Sequence, residues 1–142
     1  SMLKKLIDSN IFIDRFSDTG LHKDIFLSEG LVYLSSIVLM ELKAGAHSKE
    51  AVKAVQELFD YFKRVNRIVV PSLKDYESAG EIIAKLQISK GYEIKKTASI
   101  TNDCLIAASA KSIGAVVYSQ NKNDFMAIRD VFDFKVVIAE RL

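Results

Sequence analysis

One cysteine, one proline, two histidines and six glycines are all that this 142-residue sequence holds of the residues that most readily announce special chemistry. A lone Cys104 cannot close an internal disulfide, which fits a reducing compartment such as the cytoplasm. His22 and His47 stand apart, and with Cys104 they form neither a zinc spacing nor a Cys–His nucleophile pair. Without a glycine-rich loop ahead of a helix, nucleotide folds that cradle phosphate in that way are excluded. No apolar run reaches the roughly 20 residues of a membrane span, and no secretory h-region is read at the start, so no membrane partner is expected. Ser1 before Met2 reads as a scar of tag removal and is set aside. The net charge of +2 is too small for a strongly basic nucleic-acid binder. Lys63-Arg64-Val65-Asn66-Arg67 and Lys95-Lys96 read either as local phosphate contacts or as solvated helix faces.

What is present is ordinary in amount: 49% hydrophobic and 27% charged residues, enough for one soluble domain over residues 2–142 with a core that needs no staples. Leu3 to Ile7 is a short apolar strand ending on Asp8, followed by a Ser9-Asn10 turn and a helical segment from Ile11 to Phe16. Leu21 to Ser28 resumes helical spacing after Asp18-Thr19-Gly20. Leu31 to Ser35 is a second buried strand, with Ser36 placed to cap a helix from Ile37 to Ala46. An amphipathic helix covers Lys49 to Arg64, a third strand Arg67 to Val70 stops at Pro71, and a helix runs from Leu73 to Ser89. Residues 92–100 read as a loop or frayed helix. Thr101 or Asn102 then caps a helix from Asp103 to Ile113 whose small residues let it lie close to a sheet. Ala115 to Ser119 is the fourth strand, Gln120 to Asp124 a polar turn, Phe125 to Val131 a helix and Lys135 to Ile138 the last strand. Strands and helices alternate throughout. That order predicts a three-layer α/β/α sandwich around a central, mainly parallel five-stranded sheet with right-handed crossovers.

Isolated acids fall at telling places in this scheme. Asp8 ends the first strand, where open α/β sheets bind ligands, although Asp, Ser and Asn there also serve as helix caps. Glu41 has only Ile37, Val38, Ala44 and Gly45 as helical face-mates, so it needs either a salt bridge or a ligand to offset burial. Asp103 shares a face with Ile100, Ile106, Ala107 and Ala110; in a first helical turn it would also favour the macrodipole. Asn121 and Asp124 follow the fourth strand, where turn chemistry alone explains them. If the first and fourth strands are neighbours, all these positions ring one crevice at the switch in strand order. Acids converging there repel one another unless a cation holds them, and carboxylates with water suit Mg²⁺ or Mn²⁺ rather than zinc.

Four blocks, Leu6-Ile7-Asp8-Ser9-Asn10, Ser36 to Leu42, Asn102 to Ala110 and Ser119 to Phe125, occur in an order and spacing that resembles the PIN domain of VapC-type toxins. Those proteins are metal-dependent ribonucleases of toxin–antitoxin pairs. The resemblance implies that Asp8, Glu41 and Asp103 bind the metal, with Ser9 and Asn10 shaping the site. A fourth family position falls on Asn121, where many members carry Asp. Asn offers a carbonyl oxygen without charge, which bears on how many metals bind, and Asp124 stands near enough in sequence to substitute in part. Asp14 is expected to be solvated. The resemblance further implies RNA as substrate, a cognate antitoxin blocking the crevice and a homodimer, with Leu21, Ile25, Phe26, Leu58 and Phe62 either as the apolar contact surface or as core.

The expected chemistry is hydrolysis of RNA phosphodiester bonds, with Mg²⁺ or Mn²⁺ activating water and clamping a phosphate oxygen. Lys95, Lys96 and Lys122 are candidate contacts to the RNA backbone. Two other readings compete. Asp8 as a phosphotransfer nucleophile suits haloacid-dehalogenase-like or receiver domains, but the former need an acid where Asn10 stands. A catalytically silent PIN-like module that only binds RNA or protein is compatible with Asn121.

Overall fold

The computed structural model describes residues 2–91 and 98–140. Its sheet has five strands in the order β3-β2-β1-β4-β5, all paired in parallel. The strands are β1 (Lys4–Ile7), β2 (Leu31–Ser35), β3 (Ile68–Val69), β4 (Ala115–Ser119) and β5 (Lys135–Ile138). Helices connect them: α1 (Ser9–Ser17) and α2 (Lys23–Leu27), then α3 (Ser36–Gly45) and α4 (Lys49–Arg64), then α5 (Leu73–Ser89) and α6 (Ala98–Ile113), and finally α7 (Lys122–Val131). α1, α3 and α4 pack on one another as one group, and α5, α6 and α7 as another. This is the α/β layering that the alternation of elements predicts.

β1 is central, and its composition follows from that place. Leu6 and Ile7 are fully buried, as a strand covered on both faces requires. Lys5 is buried as well, at 1% exposure, and its ammonium group is held by three acceptors: Ile25 O at 2.7 Å, Ser28 Oγ at 2.6 Å and Ser28 O at 3.3 Å. It clips the segment after α2 to the sheet. Gly30 lets the chain return beside β1, since a Cβ there would stand 2.8 Å from Leu3 O and its φ of +124° is strained for any side chain. The rest of the core is built from Leu34, Val38, Ile106, Val117, Phe125 and their neighbours.

Several boundaries differ from the sequence reading. α6 starts at Ala98, not at Asp103, so Asp103 sits in the second turn and its burial owes nothing to a position at the helix end. Ser35, rather than Ser36, caps α3, its Oγ accepting from Ile37 N at 3.1 Å. α7 begins at Lys122, three residues early, and β3 is only two residues long. The small face of α6 lies against both β4 and α5, so close approach to a second helix, as well as to the sheet, explains it. Of the residues offered as a contact surface, Phe62 is buried, and Ile25, Phe26 and Leu58 pack against the core. Exposed apolar side chains nearby are instead Ile13, Phe16 and Tyr61.

Candidate functional site

β1 and β4 are neighbours, so strand order reverses between them and a crevice opens at their carboxyl ends. The backbone N–H of Asp8 continues the ladder by donating to Tyr118 O at 2.9 Å, which aligns Asp8 with Ser119. Asp8 is 3% exposed, and one of its carboxylate oxygens caps α1, accepting from Ser9 N at 2.8 Å. The other faces the crevice and accepts from Ser119 Oγ at 2.6 Å and Asn10 Nδ2 at 3.4 Å. Burial raises the Asp8 pKa, and these hydrogen bonds pull against it.

α3 brings Glu41 to the same end of the sheet from the β2 side. Its Oε2 accepts from Asn102 Nδ2 at 3.4 Å, while Oε1 is buried and has no hydrogen-bond partner among the described residues. Burial first, and then the charge of Asp8, raise its pKa. No lysine or arginine among the described residues pairs with it, so the salt-bridge alternative does not hold there.

Asp103 arrives from α6. It is 3% exposed and its pKa is pushed up to about 9, by burial and then by the charges of Asp8, Asp124 and Glu41. Its Oδ2 accepts from Asn121 Nδ2 at 2.9 Å, and the same amide nitrogen donates to Asp124 Oδ2 at 3.0 Å. Asn121 therefore stands as a neutral bridge between two acids. Asp8, Glu41, Asp103, Asn121 and Asp124 are brought together as the order of motifs predicts, and Ser9 stands beside Asp8 and Glu41. Lys122 is exposed on α7, whereas Lys95 and Lys96 lie outside the described residues. As the side chains stand, no group of three acids, histidines or cysteines among the described residues is arranged to hold one ion.

Three participants escape the sequence reading. Ser119 is fully buried, bonds Asp8 and accepts from Asn121 N at 2.9 Å. Asn102 holds Glu41 across two helices. Asp14, expected in solvent, is buried at 9% exposure and bonded to His22 Nε2 at 2.8 Å and Gln120 Nε2 at 2.6 Å. The register of β4 against β1 could have flagged Ser119, and the four-residue step from Asn10 could have flagged Asp14.

Comparison with known proteins agrees with the fold. The sequence model of the PIN domain matches residues 5–130. No curated protein sequence matches the chain. Among solved structures, DNA-bound VapBC from Salmonella typhimurium is 25% identical with a TM-score of 0.70, over 96% of this chain and 98% of that one. VapBC-1 from nontypeable Haemophilus influenzae is 24% identical with a TM-score of 0.71, over 96% and 98%. VapBC2 from Rickettsia felis, bound to a DNA fragment of its promoter, is 23% identical with a TM-score of 0.70, over 97% and 100%.

Proposed function

This chain belongs to the PIN domain family, and on that premise we propose that it is a VapC-type toxin that hydrolyses RNA phosphodiester bonds with Mg²⁺ or Mn²⁺. The observation that carries the proposal is electrostatic. Asp8, Glu41 and Asp103 share one crevice, and among the described residues none pairs with a lysine or arginine and buried Glu41 Oε1 has no donor. Hard oxygen donors lacking a counter-charge fit a hard divalent cation, so these three residues would hold it. Bound there, the ion would lower the pKa of a water and neutralise charge on the phosphate. The chain's own part is to orient the donors. Ser119 and Ser9 fix the Asp8 carboxylate, Asn102 turns Glu41 inward, and the Asn121 amide keeps Asp103 facing Asp124.

RNA cleavage assayed with Mg²⁺, Mn²⁺ and chelator tests this reading. Asp103→Asn should abolish cleavage in a folded protein; undiminished metal-dependent activity in that variant would defeat the assignment. The VapBC family is one of toxin–antitoxin systems, so the VapBC neighbours support a cognate antitoxin for this chain, and we extend the proposal to a cytoplasmic homodimer. An apolar cavity of about 350 Å³ between α1, α3 and α4, walled by Ile13, Phe16, Leu42, Ala51 and Val55, is available to a partner. No described helix is long and apolar enough to cross a membrane. The Asn121 bridge favours a second reading, a silent RNA- or protein-binding module. Calorimetric titration separates the two, because such a module takes up no Mg²⁺ or Mn²⁺ at millimolar concentration.

A further inference from the structure

Asp14 belongs to no ligand set, yet it is buried on α1, one turn beyond Asn10 and on the same side of the helix. Both residues grip the same stretch of chain, the end of β4. The Asn10 side-chain oxygen accepts from the Gln120 backbone N–H at 3.3 Å, and the Asp14 carboxylate accepts from the Gln120 side-chain amide at 2.6 Å. His22 completes the group, with its Nε2 2.8 Å from the Asp14 carboxylate oxygen and 2.9 Å from Gln120 Nε2. Asp14 Oδ2 is the common acceptor: the Gln120 amide donates to it, and His22 Nε2 donates to it in the tautomer that carries its proton there, which leaves the two nitrogens as a close contact and not a hydrogen bond. The backbone at His22 is left-handed, with φ 58° and ψ 27°, a conformation that a side-chain-bearing residue keeps only where its surroundings demand it. Gln120 lies between Ser119, which bonds Asp8, and Asn121, which bonds Asp103 and Asp124.

We propose that Asp14, anchored by His22, is a positioning residue that fixes the β4–α7 turn through Gln120 and so sets where Ser119 and Asn121 meet the acids of the crevice. The side chains of His22 and Gln120 both bond Asp14, and the three act on the turn that carries Ser119 and Asn121. Displacing a positioned group by an ångström is enough to cost on the order of 100-fold in rate without weakening substrate binding in proportion. The kinetic consequence rests on the nuclease reading, whereas the placement of the turn does not.

The test uses the full chain, ¹⁵N-labelled and metal-free, with Asp14→Ala, His22→Leu and the donor-preserving His22→Gln. Asp14→Ala and His22→Leu should shift the side-chain amide resonances of Gln120 and Asn121, and His22→Gln should restore them. In RNA cleavage the first two should lower kcat about 10- to 100-fold with KM within about twofold, and the third should recover most of kcat. Asn121 resonances that stay at the wild-type positions in Asp14→Ala, with or without a fall in melting temperature, would overturn the proposal. So would a rise in KM with kcat unchanged. If Asp14→Ala does not fold, the two His22 variants decide by the same resonances. If the wild type cleaves no RNA, the nuclease reading fails, and the amide shifts alone settle the positioning role.

Discussion

Asp103→Asn should make the metal-free protein more stable at neutral pH. The Asp103 carboxyl has its pKa raised from 3.8 to about 9 by burial and by three neighbouring acids. At pH 7 the folded protein therefore holds a proton that the unfolded chain has released, and keeping it costs about 1.4 kcal/mol for each pH unit above the unfolded pKa. Between 3.8 and 7 that cost approaches roughly 4 kcal/mol, a large share of the usual stability of a domain. Asn is neutral in both states and of the same shape, and its carbonyl oxygen can still accept from Asn121 Nδ2. The substitution removes the cost and keeps the bridge.

The direction with pH follows from the same proton. Raising the pH favours unfolding of the wild type from about pH 4 until about pH 9, where both states are ionised and the dependence ends. Asp8 and Glu41, also raised, act in the same direction. Denaturation by urea with chelator present, at pH 5, 7 and 9, should show stability falling steeply in the wild type and less steeply in Asp103→Asn. At pH 7 the variant should gain about 2–4 kcal/mol, or roughly 6–13 °C in melting temperature for a chain of this length. Millimolar Mg²⁺ should flatten the wild-type slope and leave the variant unmoved. A variant no more stable than the wild type at pH 7, or one with an unchanged slope, would refute the electrostatic account of the crevice.

Other substitutions probe separate parts of the fold. Asn121→Asp removes the amide that bridges Asp103 and Asp124 and adds a further acid, so the metal-free melting temperature should fall, by about 1–3 kcal/mol in stability, while Mn²⁺ stabilises it more than the wild type in a thermal-shift series. Lys5→Met leaves Ile25 O and Ser28 without their buried donor; urea denaturation should show a loss of about 1–3 kcal/mol, with faster amide exchange in α2. Gly30→Ala drives a Cβ against Leu3 O at positive φ and should cost about 1–3 kcal/mol by calorimetry, with no effect on metal affinity at the distant crevice.

The strands and the acids were legible because each leaves a local mark. Short apolar runs bounded by turn residues define buried strands, and Glu41 among apolar face-mates is an anomaly at helical spacing. What could not be read depends on partners distant in sequence. Asp14 looked solvated because its partners are eight residues away in a left-handed turn and 106 residues away beyond β4. Ser119 looked like the last residue of a strand until pairing of β4 with β1 set it against Asp8. The start of α6 was hidden by Thr101 and Asn102, good capping residues that here lie inside the helix, so Asp103 carried a plausible but wrong explanation in the helix macrodipole. Periodic apolar positions on α4 told that the helix has an inner face, but not that Phe62 lies wholly within the core.

Burial of charge alone does not mark a functional site, and β1 shows why. Lys5 and Asp8 lie three residues apart and are almost equally inaccessible, at 1% and 3% exposure. Lys5 has three N–H donors and three acceptors to meet them, so its charge is solvated by the protein and its role ends with the fold. Among the described residues, the donors at the crevice are hydroxyls and amides, neutral groups that orient carboxyl groups without supplying a counter-charge, and one oxygen of Glu41 receives no donor. A stabilising cluster would have recruited a lysine or arginine, as the pairs of Lys90 with Asp130 and Lys63 with Asp60 do at the surface. Burying acids in the crevice with no counter-charge from the described residues makes the fold less stable, and a cation bound there would reverse that cost by mass action. On the proposed reading, the same deficit that lowers the stability of the metal-free chain would drive the binding of a divalent ion, which is why Asp103→Asn should gain the first as it loses the second.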